Sequence, residues 1–409
     1  MRVLALSAVL VLGVCVAGCG SSKNSSSNGG GKSGQTAASK EPIKIGAVLA
    51  QSGLFSEFDI GNTAGVELAA EDINKEGGVD GRKLEVTVGD YKSKPELGGT
   101  VARELIGEGA TAIITSADFD FGSPAALAAQ SSNVVAISAG AEAPEFGVQG
   151  IGPLAYTMGT STNETAAAWA EWIHNKRGAH SVFILEDPTL AYDTTTCENF
   201  ETAWKEIPGT KILGKQQFKN TDPSISVQIT KIQALSEKPE FILLCSYPPG
   251  GATALRQLRA AGIETPVIGG DAFSGTAWLA SVPKLSNFYY TDYVSVYGDD
   301  PNQEVNRIVE EAKAKAHPSN AIAGVTIAAY SAVQAYAKAV ETAGTTETKA
   351  VEEALNEFNE VPLLVGPTTF TSELHINDKR PLAILEIKNG EGRFVEEFTP
   401  AKVPAIKFK

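Results

Sequence analysis

From Glu41 onward the chain alternates short β-branched runs with longer stretches of helical periodicity, and this alternation limits the available folds more than any other feature. Strands are expected at "IKIGAVL" (43–49), "KLEVTVGDY" (83–91), "ATAIITS" (110–116) and "NVVAIS" (133–138), with helices such as "GNTAGVELAAEDINKEG" (61–77) between them. A second series runs through "SVFILED" (181–187), "KILGKQQF" (211–218), "EFILLCS" (240–246), "PVIGG" (266–270) and "NFYYTDY" (287–293). Strand–helix alternation is the mark of a parallel sheet covered by helices on both faces, so two doubly wound α/β units are expected. Helices without strands fill 301–358, where Val325, Ala329, Val333 and Tyr336 form a stripe read as helix core, and "RPLAILEIKNGEGRFVEEF" near the C-terminus reads as a hairpin. Open parallel sheets collect ligands beyond the carboxyl ends of their strands. That rule marks 118–121, 138–142, 188–192, 246–249 and 271–274, which converge most naturally in a cleft between two lobes.

The N-terminus is of a different kind. Residues 1–18 place Arg2 ahead of an apolar run ending in small residues, which reads as a secretory signal too short to remain as a membrane span. Val16-Ala17-Gly18-Cys19 resembles a bacterial lipobox, which implies lipid on Cys19 and an extracytoplasmic chain anchored to the cell membrane. The Gly/Ser-rich stretch up to residue 40 cannot bury a core and reads as a tether with a span of ~25 Å. Its "GGGKSG" lacks the glycine spacing, strand and helix of a phosphate loop.

Charge and motif content remove several function classes. The 34 basic and 48 acidic residues leave a formal charge of −14, which repels nucleic acid phosphates. No G-x-S-x-G elbow occurs, the four histidines show no ligand spacing, and no enzymatic chemistry, metal or cofactor is expected. Cys197 and Cys245 match no zinc pattern. Each follows an expected strand outside the cytosol, where a disulfide persists, although sequence does not fix the Cα separation that a bridge requires.

"AGVELAAEDINKEGGVDGRKLEV" (64–86), with "IKIGAVLAQSG" (43–53), "VVAISAGAEAP" (134–144) and "LRQLRAAGIETPVIGGDAF" (255–273), resembles the leucine/isoleucine/valine-binding proteins. These are type I solute-binding components of ATP-driven (ABC) importers. The resemblance covers nearly the whole chain past the tether. It implies a bilobed clamp with a three-segment hinge, crossing near 156–161, 290–295 and 365–370. Lobe one would be 41–160 plus 294–366, and lobe two 161–293 plus 367–409. It also implies capture of a small-molecule ligand for delivery to permease subunits, the alternative being a ligand-sensing receptor module for a signalling partner.

In relatives that bind α-amino acids, hydroxyl side chains and backbone N–H groups hold the ligand carboxylate, and an acid of the second lobe pairs with the ammonium. Matching places Asp118, Phe119 and Glu142 where the hydroxyl-bearing residues stand, and Tyr192, Tyr247 and Asp271 where relatives line the ligand on the other side. Phe55 and Ser138 complete the candidate set. An ionised carboxylate only accepts hydrogen bonds, so Asp118 and Glu142 oppose a ligand carboxylate and suit amines, amides or polyols. The competing reading has Asp118 and Asp120 capping a helix from Gly122 while backbone N–H groups still hold a carboxylate. Asp271 is likewise open to reading as a helix N-cap.

Overall fold

The computed structural model describes residues 41–406 and residue 408, so the signal segment, Cys19 and the tether lie outside the described residues. The first series of elements is β1 (Ile43–Val48), α1 (Ser56–Lys75), β2 (Leu84–Gly89), α2 (Pro95–Gly107), β3 (Ala112–Thr115), α3 (Phe119–Ser131), β4 (Val135–Ser138) and β5 (Ala155–Thr157). All five strands are parallel, in the order β2-β1-β3-β4-β5. Every residue of β3 and β4 is buried, as central strands covered on both faces must be. The short β5 was not expected from the sequence, since its three residues carry too little pattern to register.

The second series is α4 (Thr162–Asn175), β6 (Ser181–Glu186), α5 (Ala191–Glu206), β7 (Lys211–Gln217), α6 (Ser226–Gln233), β8 (Phe241–Cys245), α7 (Gly250–Ala260), β9 (Val267–Gly269) and β10 (Phe288–Asp292). Three helices follow, α8 (Gln303–Lys315), α9 (Gly324–Ala343) and α10 (Thr348–Asn356), then the small hairpin β11 (Val361–Leu363) and β12 (Gly366–Thr368). Last come β13 (Leu382–Lys388) and β14 (Glu391–Phe398), the expected hairpin. It adds antiparallel strands to the edge of a seven-stranded sheet, β14-β13-β10-β9-β8-β6-β7.

The first sheet is covered on one face by α2 and α3 and on the other by α1 and the helices after β10. Helices α1 and α9 pack closely because Gly65 faces the Thr326 carbonyl, where a Cβ would overlap the backbone oxygen. The second sheet lies between α4 with α5 on one face and α6 with α7 on the other. Cys197 and Cys245 are bonded, joining α5 to the end of β8 with Cα atoms 6.0 Å apart. Cys197 thus lies within a helix and not after a strand as the sequence suggested.

The chain crosses between the sheets three times: from β5 into α4, from β10 into α8, and over residues 369–381 into β13. The third crossing falls later than 365–370, because β11 and β12 first pair with each other, and Val365 and Phe370 are buried in the core of the first sheet. Buried Arg380 ties two crossings together by donating to the Met158 carbonyl (2.7 Å), to Thr368 Oγ1 (3.1 Å) and to the Pro367 carbonyl (3.3 Å).

Candidate functional site

The carboxyl ends of strands from both sheets border one cleft with an empty volume of about 550 Å³. On the side of the first sheet, β3 ends at Thr115 and Asp118 caps α3 from an extended backbone. Its Oδ1 accepts the Asp120 N–H (2.8 Å) and the Phe121 N–H (3.1 Å), two of the amides that a helix start leaves without partners. The helix therefore begins at Phe119, not Gly122, and Asp118 both caps it and faces the cleft. Asp120 turns away to the other side of the molecule's cleft, where its Oδ2 accepts the Ala191 N–H in the first turn of α5 (2.9 Å).

Ser138, expected to touch ligand, lies behind the lining. It is fully buried, donates to the Ser116 carbonyl (2.8 Å) and accepts the Gly140 and Ala141 N–H groups (3.2 and 3.0 Å). As the last residue of β4 its side chain is turned to shape the following loop, whose Glu142 reaches the cleft. Glu142 is 4 % exposed. Its Oε1 accepts the Tyr293 hydroxyl (2.8 Å) and its Oε2 the Thr165 hydroxyl (3.3 Å).

From the second sheet come Tyr192 in the first turn of α5, Tyr247 after β8 and Asp271 after β9. The Tyr192 hydroxyl donates to Asp271 Oδ1 (2.8 Å). Gly270 makes this possible, since a Cβ there would occupy the place of the Tyr192 hydroxyl. Asp271 opens a single 3-10 turn whose N-cap is Gly270, and its side chain takes the tyrosine hydroxyl together with backbone N–H groups of that turn. Phe55 stacks on Phe121 (3.9 Å between centroids) and Phe119 meets Phe146 edge to face, which fixes the aromatic wall on the first side.

Burial pushes the site's acids up. Desolvation foremost, with the neighbouring Asp120 charge second, raises Asp118 to about 7. Desolvation likewise raises Asp271 to about 6 and lifts Glu142 well above the usual carboxylate range, with the Asp271 charge adding to it. Beneath the loops, fully buried Asp59 accepts the Ala50 N–H and hydrogen bonds from Ser116 and Tyr91, which hold the loop after β3.

Of the eight candidate ligand residues, Phe55, Asp118, Phe119 and Glu142 meet Tyr192, Tyr247 and Asp271 across the cleft, and Ser138 does not join them. Sequence reasoning missed Phe58 and Val325 in the lining, marked Leu190 only as part of 188–192, and missed Tyr293 and Thr165 behind the lining. Tyr293 stood at the end of an expected strand, where the carboxyl-end rule applied. Val325, read as helix core, is 6 % exposed and also forms cleft wall.

Comparison with known proteins agrees with this architecture. The periplasmic binding protein family profile matches residues 42–392. A Leu/Ile/Val-binding protein homolog of Brucella melitensis is 24% identical over 339 residues, covering 83% of this chain and 89% of that protein. The leucine-, isoleucine-, valine-, threonine- and alanine-binding protein of Pseudomonas aeruginosa is 24% identical, covering 77% of this chain and 82% of its own length. Among solved structures, the branched-chain amino acid transporter substrate-binding protein LivJ of Streptococcus pneumoniae, in complex with isoleucine, superposes with a TM-score of 0.75 at 22% identity. The match covers 88% of this chain and all of that one. A fatty acid ABC transporter substrate-binding protein of Thermomonospora curvata fits nearly as well, with a TM-score of 0.74 at 19% identity, covering 88% and 93%. Two parallel-sheet bodies, a cleft at their strand ends and a profile match along almost all of the described chain place this protein in the periplasmic binding protein family, as a binding protein and not an enzyme.

Proposed function

We propose that the chain is the solute-binding lipoprotein of an ABC importer, capturing a small polar solute between two lobes that close on it and presenting it to permease subunits. The lobes expected from the sequence, 41–160 plus 294–366 and 161–293 plus 367–409, would pivot on the three crossings, with the rest of β12 and Phe370 on the side of lobe one. The single observation that carries this reading is a cleft whose wall is divided between the two sheets, so that one solute touches both. A ligand with contacts on both sides favours the closed arrangement by its differential affinity for it. Lipid on Cys19 holds the protein outside the cytoplasm at the cell membrane. Among the described residues no helix is long and apolar enough to cross a membrane.

The test is a melting screen of the full chain against amino acids, amides, amines and polyols. A ligand at ~100 times its dissociation constant adds about 2.7 kcal/mol, a shift of a few degrees. If no compound in a broad panel shifts the melt, the solute-capture reading fails. The anchor is checked separately: a palmitate analogue fed to the producing bacterium should label the protein, and Cys19→Ala should abolish the label.

A further inference from the structure

We propose that the cleft takes a compact organic cation with an apolar body and no carboxylate, an alkyl- or arylamine; this rests on the solute-capture reading above. The lining carries Asp118, Glu142 and Asp271 and no Lys, Arg or His. Fully buried Asp193 and Asp292 stand behind it, Asp193 with both carboxylate oxygens and Asp292 with Oδ2 lacking any hydrogen-bond partner. Burial raises both well above the usual carboxylate range, and their carboxyl groups lie close enough to interact electrostatically, Asp193 with Asp118 and Asp271, and Asp292 with Asp271. Buried Arg380, whose charge acts on Glu142, directs its hydrogen bonds to Met158, Pro367 and Thr368 and is not part of the lining.

Four backbone donors that could receive an anion are already used. At the start of α3 the Asp120 and Phe121 N–H groups hold the Asp118 carboxylate, and after β4 the Gly140 and Ala141 N–H groups hold Ser138 Oγ. A ligand carboxylate would have to displace an internal carboxylate or the serine that shapes the loop. The site's acids, in contrast, receive only neutral partners: hydroxyls from Tyr293 and Thr165 on Glu142, a hydroxyl from Tyr192 on Asp271, and amides on Asp118. Each acid thus lacks a cationic hydrogen-bond partner, the one component a ligand ammonium supplies. Phe55, Phe58, Phe119, Tyr192 and Tyr247 offer apolar surface for the body of such a ligand and ring faces that attract its charge.

Calorimetry on the full chain at pH 8 tests this with matched probes: isopentylamine against leucine, phenethylamine against phenylalanine, 4-methylpentanamide as the neutral counterpart and 4-methylpentanoate as the anion. Each amine should bind at least about a hundredfold more tightly than its amino acid, as a like charge placed ~4 Å from a half-screened carboxylate requires. The amide should bind more weakly than the amine, and the anion should give no heat. Glu142→Gln and Asp118→Asn should each reduce amine affinity at least tenfold, with an intact melting transition showing that the variant is folded. Leucine or phenylalanine binding as well as its amine overturns the proposal, as does an amide that equals the amine. If these probes all fail, a broad solute panel decides: a different organic cation supports the cation assignment, and an uncharged or anionic ligand overturns it while leaving solute capture standing. Silence across the panel overturns solute capture itself.

Discussion

Asp118 performs two tasks whose electrostatics conflict: as a cap it stabilises the start of α3, and as a buried anion among anions it opposes folding. Its pKa of about 7 lies above the ordinary value of 3.8, so the folded chain binds more protons than the unfolded one between those limits. Stability from this group is therefore full below pH 4, falls as pH rises and is lowest above 7. Asparagine caps as well as aspartate and carries no charge. Asp118→Asn should raise the melting temperature of the ligand-free protein at pH 8 by the equivalent of roughly 1–3 kcal/mol and leave it nearly unchanged at pH 4. Buried His375, lowered by desolvation to about 4, slopes the other way, losing stability as pH falls from 6.5. It is common to both proteins and cancels from the difference. Equal gains at both pH values would show that the substitution acts on packing and not on charge.

At the scale of elements, two joints bear the load of positioning the cleft. Gly65 lets α1 approach α9, and Phe58 and Val325 stand on those same helices in the cleft wall. Gly65→Val should cost about 1–3 kcal/mol in denaturant unfolding, because neither backbone can retreat without disturbing the buried core between them. The disulfide joins α5, which carries Tyr192, to β8, which leads to Tyr247. With the cysteines 48 positions apart in sequence, loop entropy alone sets the contribution of the bond at ~4 kcal/mol, and the double change to alanine should lower unfolding free energy by about 2–4 kcal/mol. A loss below 0.5 kcal/mol would mean that α5 is held by packing alone.

For the whole molecule, the contact of Asp120 with the start of α5 spans the cleft mouth. A carboxylate at a helix N-terminus is stabilised by the amides and the dipole there, so the contact favours the closed arrangement. Asp120→Ala should leave the melt of the ligand-free chain within about 1 kcal/mol and speed ligand release several-fold in stopped-flow traces. Small-angle scattering should show the radius of gyration falling on ligand addition, with the variant needing more ligand for the same contraction. A radius that does not change with ligand would rule out lobe closure.

What the sequence determined by itself was the periodic part of the protein. Strand–helix alternation marked nine of the ten strands of the two parallel series, and the carboxyl-end rule drew Asp118, Glu142, Tyr192, Tyr247 and Asp271 toward one site, because period and strand direction are local properties. What it left open were contacts between residues far apart in the chain. Whether Ser138 meets ligand or braces its own loop and which hydroxyl meets Glu142 depend on where side chains 22 and 151 positions apart come to rest, and whether Asp118 faces solvent or the cleft depends on the wall that folds opposite it. The register of the third crossing depended on a hairpin of three-residue strands. Only the folded structure decided that the Asp120, Phe121, Gly140 and Ala141 N–H groups on the first side of the cleft are consumed by neighbouring side chains, since a hydrogen bond is satisfied by geometry and not by composition.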